Sequence, residues 1–291
     1  MERGTQLIHE YLRHDKKFPH VWCPGCGNGI VLGSLIRAIH TSGYEKDEIV
    51  LVSGIGCSGR LPVYVDFNTL HTTHGRALTF ATGVKLANPK LQVIVIMGDG
   101  DATAIGGNHF IHAARRNLNL TAIIVNNNIY GMTGGQYSPT TPYGARAATA
   151  LFGNIEHAFS IAELAVTAGA SLVARGTVYH ARQLDDLIGL AMKKRGFGVV
   201  EVISHCPTQY GRKNKLGGPV DMLRWQKEAA VRVEKAVEMS EEELKDKFTI
   251  GVLVDRDLPI YIREYRKIRE AAQARLGEMQ ARRKAILKTV S

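Results

Sequence analysis

Residues 91–136 read LQVIVIMGDGDATAIGGNHFIHAARRNLNLTAIIVNNNIYGMTGGQ, and the fold turns on this stretch. An apolar, β-rich run over 91–97 stops at Gly98-Asp99-Gly100, where glycines let the chain turn sharply and approach an anion closely. Residues 105–118 have the spacing of a crossover helix. A second apolar run over 121–125 then stops at Asn126-Asn127-Asn128. The pattern predicts two parallel strands with Asp99 and Asn127 side by side at their carboxyl ends, the edge where open α/β sheets bind ligands. A carboxylate, an amide oxygen and a nearby main-chain carbonyl make an all-oxygen site, which suits a hard divalent cation bridging to phosphates. The plainer alternative is a pair of turns in an ordinary doubly wound fold.

Outward from this stretch the rhythm continues. Helical apolar spacing runs over 30–40 and closes at Gly43, and 49–53 is a short buried strand. It leads into Gly54-Ile55-Gly56-Cys57-Ser58-Gly59-Arg60, a glycine-rich loop able to curl its N–H groups round an anion. Next come His71-Thr72-Thr73-His74-Gly75-Arg76 and a helix over 77–87 that stops before Pro89. His74 and Arg76 at a helix start suit phosphate, and a capping role is the alternative. Residues 137–148 are a proline-bearing loop, followed by helix over 155–168, strand over 171–174, helix over 181–194 and strand over 198–203. Such alternation predicts a doubly wound, mostly parallel α/β sheet. We divide the chain into a polar N-terminal arm (1–20), a main domain (21–215) and a helical C-terminal extension (216–291). A basic, flexible link from 210 joins the last two, and a short run at 251–254 interrupts the helices.

The 291 residues carry a formal charge of +10, but residues 262–291 hold nine Lys/Arg and three Asp/Glu, a net +6. The excess is thus concentrated in a tail that reads as a solvated basic helix. The rest lacks the aromatic and basic interleaving of single-strand binders, so nucleic acid is not expected. No apolar run is long enough for a membrane span and the N-terminus lacks a secretory apolar core, so a cytoplasmic protein is expected.

Four cysteines, Cys23, Cys26, Cys57 and Cys206, all fall in turns or at strand ends beside Gly or Pro. Four thiolates from three loops suit Zn²⁺ or a [4Fe-4S] cluster. One CxxC pair with two remote singletons is unlike a zinc ribbon, which argues for the cluster. Cys57 lies inside the glycine-rich loop, so either metal would sit beside the diphosphate site.

The Gly98-Asp99-Gly100 to Asn127 spacing resembles the diphosphate motif of thiamine-diphosphate enzymes, which implies that Asp99, Asn127 and the Ile129 carbonyl hold Mg²⁺. CPGCGNG, GIGCSGR, HTTHGRA, GDGDATAIGGNH, NNNIYGMTGGQYSPTTP and SHCP together resemble the β subunit of 2-oxoacid:ferredoxin oxidoreductases, particularly the 2-oxoglutarate type. The resemblance covers roughly 22–215. It implies thiamine-diphosphate contacts at Ile55, Gly56, Cys57, Ser58, His74, Gly98, Asp99, Gly100, Asp101, Asn127, Ile129, Tyr130, Gly131, Met132 and Thr133, with Gln136 nearby. It further implies one [4Fe-4S] cluster on Cys23, Cys26, Cys57 and Cys206. The implied reaction is reversible, coenzyme A-dependent oxidative decarboxylation of a 2-oxo acid, with 2-oxoglutarate giving succinyl-CoA and electrons passing to an external ferredoxin. Pyruvate or broad 2-oxo acid specificity is the near alternative, and a non-redox thiamine-diphosphate decarboxylase or ligase subunit or a zinc-stabilised, basic nucleic-acid-binding protein the more distant ones. An α subunit would supply the pyrimidine domain and its activating glutamate, in an (αβ)2 heterotetramer. Arg60, next to the cofactor loop, is expected to hold a substrate carboxylate bidentately.

Overall fold

The computed structural model describes residues 2–15 and 19–289. Its elements, in chain order, are α1 (Glu2–Tyr11), α2 (Asn28–Ser42), β1 (Ile49–Ser53), β2 (Asn68–His71), α3 (Ala77–Ala87), β3 (Gln92–Gly98), α4 (Gly107–Arg115) and β4 (Thr121–Asn126). There follow α5 (Ile161–Thr167), β5 (Leu172–Thr177), α6 (Ala181–Lys193), β6 (Gly198–Ile203), α7 (Pro219–Ala229), β7 (Ala230–Arg232), α8 (Val233–Ala236), β8 (Phe248–Asp255) and α9 (Tyr261–Thr289).

The strands form one eight-stranded sheet in the order β2-β1-β3-β4-β6-β5-β8-β7. The six from β2 to β5 are mutually parallel. Successive residues of the inner strands face opposite layers: Ile94, Ile96, Ile123 and Val125 pack with α2 and α6, whereas Val95, Met97, Ala122 and Ile124 pack with α3, α4 and α5. Burial on both faces is why these strands read as continuous apolar runs rather than alternating ones. After β1 the chain moves to one side of the sheet, and after β3 it moves to the other, so the topological switch lies between β1 and β3. Ligands are expected at the carboxyl ends of those strands.

Several expectations needed correction. The helix expected from 155 begins only at Ile161, because Ser160 caps it through its hydroxyl to Glu163 N and Phe159 N is bonded back to Pro139 O. The helix expected from 105 begins at Gly107, after a π-helical turn over Asp101–Ile105. The N-terminal stretch is pinned to the body: Tyr11 and Leu12 are buried, and Arg13 N and Tyr11 O bond to Tyr64 O and Asp66 N. The basic link is tied to the body: Asn214 bonds Arg146 through both of its main-chain groups, and Lys213 Nζ bonds Gln209 and Gly134 O. The run at 251–254 is the middle of β8, which pairs antiparallel with β5, so the C-terminal extension also contributes strands. That antiparallel return leaves Asp255 opposite Leu172 at the amino-terminal edge of the sheet, where Asn117 fastens Leu258 O and Pro259 O. The exposed helix α9 therefore departs from the edge opposite the predicted site. Among the described residues no helix is long and apolar enough to cross a membrane.

Candidate functional site

Register places the two key turns together. Gly98 is opposite Val125 in the β3/β4 pairing, so Asp99 and the asparagines leave adjacent strand ends. A cavity of ≈ 190 Å³ opens there, walled by the loops after β1, β3 and β4 and by His74. The residues expected to contact the diphosphate cofactor line it from Ile55 to Thr133, Gln136 does not, and Val125 adds a wall that the sequence did not suggest.

Asp99 is 3 % exposed, and its Oδ2 accepts hydrogen bonds from Ser138 Oγ and Thr140 Oγ1, both at 2.6 Å. Burial pushes its carboxyl up to about 6, against the pull of those hydroxyls. No basic side chain offsets this burial among the described residues. A buried carboxyl without a cation is costly to ionise, and a divalent ion would remove that cost. Ser58 Oγ, buried in the same wall, has no hydrogen-bond partner and is a donor without an acceptor. The donor set of Asp99, Asn127 and the Ile129 carbonyl, with this orphan hydroxyl beside it, fits Mg²⁺ and a diphosphate.

Asp101 has a different part from its neighbour. Its Oδ1 accepts from Gly75 N at 2.7 Å and Ile55 N at 3.4 Å, and His74 Nδ1 lies 2.6 Å away. One carboxylate thus joins three loops of the cavity wall. Gly100 admits no side chain, since a Cβ there would sit 2.3 Å from the Tyr130 ring. The Tyr130 hydroxyl donates to Gly100 O at 3.1 Å. Its own proton is held tightly: burial first, then the Asp99 and Asp101 carboxylates, push the hydroxyl up to about 12.

The remaining sequence candidates lie elsewhere. Arg60 is exposed in a short 3₁₀ turn (Ser58–Val63) and is not in the cavity wall. Arg76 donates from Nη1 to Ile105 O and braces the π-helical turn. Gln136 bonds Thr133, closing the loop after Met132. What sequence reading missed is Ser138, Thr140 and Thr141, all buried. They form a hydroxyl cluster, with Thr141 Oγ1 donating to Asn128 O at 2.6 Å. The signal was present as Ser138-Pro139-Thr140-Thr141-Pro142, three hydroxyls interleaved with two rigid prolines, but it has no period to detect.

A second cavity of ≈ 80 Å³ is lined by Cys23, Cys26, Cys57 and Cys206 together. It shares Cys57, Asn127, Gly131 and Met132 with the first, so the two are neighbours across one wall. Cys206 Sγ and Cys57 Sγ lie 3.3 and 3.6 Å from where a Gly131 Cβ would stand, and glycine keeps that space open. Among the described residues no three Cys, His, Asp or Glu converge closely enough to hold a single metal ion. Zinc needs four sulfurs each about 2.3 Å from one centre. Four thiols round one cavity are a donor set for a metal group. Burial first, then neighbouring thiolates, raise Cys57 to about 12, and burial also raises Cys26, so these sulfurs ionise only against a cation. The loops that carry them are braced: Trp22 Nε1 donates to Cys57 O at 2.7 Å, and His205 Nε2 lies 2.7 Å from Gly25 O.

Comparisons with known proteins agree with this geometry. Residues 54–202 match the model of the thiamine pyrophosphate enzyme C-terminal TPP-binding domain. The chain is 51% identical over 259 residues to 2-oxoglutarate synthase subunit KorB of Methanothermobacter thermautotrophicus, covering 89% of this chain and 90% of that one. Against the subunit of the same name from Archaeoglobus fulgidus it is 58% identical over 219 residues, 75% and 79% of the two chains. A solved structure of 2-oxoglutarate:ferredoxin oxidoreductase from Magnetococcus marinus, with 2-oxoglutarate, coenzyme A and succinyl-CoA bound, superposes with a TM-score of 0.81 at 33% identity, covering 91% of this chain and 90% of that one. With its cofactor-binding domain, its sheet and nine-tenths of its length matched, the chain belongs to the β subunits of the 2-oxoglutarate:ferredoxin oxidoreductase family.

Proposed function

We propose that this chain, joined to an α subunit, carries out the reversible coenzyme A-dependent oxidative decarboxylation of 2-oxoglutarate to succinyl-CoA, and that electrons leave through one [4Fe-4S] cluster to ferredoxin. The observation that carries the reading is the wall shared by the two cavities: Cys57, Asn127, Gly131 and Met132 face both. A redox group there would lie next to the centre that it must oxidise.

Thiamine diphosphate, when bound, supplies the carbon centre at which a 2-oxo acid loses carbon dioxide. The chain's own residues bind and orient it. Asp99, Asn127 and Ile129 would hold Mg²⁺, with Ser138 and Thr140 fixing the Asp99 carboxylate, and Ser58 Oγ is free to donate to a phosphate oxygen. Cys23, Cys26, Cys57 and Cys206 would hold the cluster, as thiolates once iron is present.

No residue lining the cofactor cavity is a glutamate, which supports a partner that provides one. Tyr143, Leu151, Phe152, Ile155 and Phe159 are exposed on the stretch that follows Ser138 and Thr140, Phe152 fully. Such a patch supports burial against the α subunit in an (αβ)2 assembly. Cys23 is exposed, and the segments 20–44, 125–140 and 202–220, which supply most of the cysteine cavity, contain no Asp or Glu. The last carries Arg212, Lys213 and Lys215. This supports an acidic carrier approaching there rather than at α9 on the opposite edge.

Anaerobic purification tests the proposal. About four irons per chain and a visible band bleached by dithionite are expected, with turnover of 2-oxoglutarate appearing only when the α subunit is added. Stoichiometric zinc, or turnover by the β chain alone, would overturn it.

A further inference from the structure

The turn that carries Asn127 is shaped by a residue with no place in the site described above. Asn128 has φ 59, a left-handed conformation that side chains other than glycine adopt at some cost. It is held there from both sides: Thr141 Oγ1 donates to its carbonyl, and its N–H donates to Asn126 Oδ1 at 3.3 Å. Asn126 closes β4, and its other amide atom reaches across to the neighbouring strand, where Nδ2 donates to Glu201 Oε1 at 2.8 Å. Glu201 is 2 % exposed on β6, and its second oxygen accepts from Arg175 Nε at 2.8 Å, from the residue directly opposite on β5.

The chemistry of this chain runs in one direction. Arg175 and Glu201 form an ion pair at 2.8 Å inside the sheet, where an unpaired charge would be costly. An ionised carboxylate only accepts hydrogen bonds, so Asn126 must present its NH₂ to it. With that end committed, the Asn126 carbonyl is the end left for Asn128 N–H. The charge on Glu201 therefore sets which way round the Asn126 amide lies, and the amide sets the turn that aims Asn127 and the Ile129 carbonyl.

We propose that Asn126, oriented by the buried Glu201–Arg175 pair, is a positioning residue that presets the Asn127–Ile129 turn for Mg²⁺ and the diphosphate. The proposal rests on the thiamine-diphosphate reading of this cavity. Supporting groups of this kind typically change metal affinity about 10–100-fold.

The test exchanges donor and acceptor. In the assembled enzyme stripped with EDTA, N126D sets two carboxylates against each other, and the affinity for Mg²⁺ and thiamine diphosphate should fall by about tenfold or more. Adding E201Q to N126D restores a donor facing an acceptor and keeps the net charge of the three residues, so most of the affinity should return. A second readout needs no cofactor: hydrogen exchange at the Asn128 and Ile129 amides should quicken in N126D and slow again in the double variant. A folded N126D that binds both ligands like wild type, or a folded double variant that recovers neither affinity nor protection, overturns the proposal. A role confined to stability would lower the unfolding temperature without shifting affinity, and that result counts against it too. Wild-type enzyme that takes up no thiamine diphosphate would sink the functional reading instead, and the amide exchange would still decide the orientation of Asn126.

Discussion

Replacing Asp99 by asparagine should stabilise the metal-free protein and destroy its response to magnesium. Burial lifts the Asp99 carboxyl from its ordinary 3.8 to about 6. The folded chain therefore holds this proton more tightly than the unfolded chain, and the stability of the metal-free fold falls as pH rises from about 4 to about 6. At about 1.4 kcal/mol for each tenfold difference in proton affinity, the cost at neutral pH reaches about 3 kcal/mol. Asparagine presents the same acceptor to Ser138 and Thr140 without a charge. Denaturant unfolding of EDTA-treated protein at pH 7.5 should thus find D99N more stable than wild type by up to about 3 kcal/mol, and the two should converge below about pH 3, where Asp99 is neutral in both states. Magnesium and thiamine diphosphate at a hundred times their dissociation constants should add about 2.7 kcal/mol to wild type and nothing to D99N, which closes most or all of the gap between them. Because the metal needs the ionised form, wild-type magnesium affinity should be full above pH 6 and decline below it. A D99N chain less stable than wild type at pH 7.5 without metal would refute the reasoning, because the carboxylate would then be held by favourable contacts rather than against its burial.

Other expectations follow from single contacts. Changing Ser138 and Thr140 together to alanine removes the hydroxyls that restrain Asp99, so the pH at which magnesium affinity is half lost should move up, as a pH series of magnesium titrations would reveal. G100A drives a methyl group into the Tyr130 ring and should abolish thiamine-diphosphate uptake while leaving iron content unchanged, since Gly100 lines only the cofactor cavity. Charge reversal of Arg212, Lys213 and Lys215 should raise the KM for ferredoxin and flatten its salt dependence with little change towards a small dye acceptor, whereas removing α9 should leave ferredoxin kinetics alone. R60A should cost 2-oxoglutarate turnover more than pyruvate turnover if Arg60 meets the distal carboxylate; equal losses would remove it from that role.

Much of this molecule is legible in order along its chain. Strands 49–53 and 198–203 and the helix over 77–87 were expected at the bounds that the structure has, because a buried parallel strand and an amphipathic helix imprint their own period on the residues that form them. Glycine, acid and asparagine punctuation at the ends of β3 and β4, and cysteines confined to turns, are likewise local, and they identified the cofactor edge and the four thiols. Tertiary structure decided what local pattern cannot encode. Asp99 meets Ser138 and Thr140 across separations of 39 and 41 residues, and the intervening loop has no period to announce it. Gly131 lies where two sulfurs from distant loops approach one point. Asp101, expected as a cofactor contact, also ties Gly75 and Ile55 into the cavity wall, and Arg60, two residues from that wall, is exposed. Residues 248–255 lie within a charged tail and yet complete the sheet beside β5. In each case the deciding contact joins segments far apart in the chain, so its free energy depends on how the loops meet and not on the residues that adjoin them.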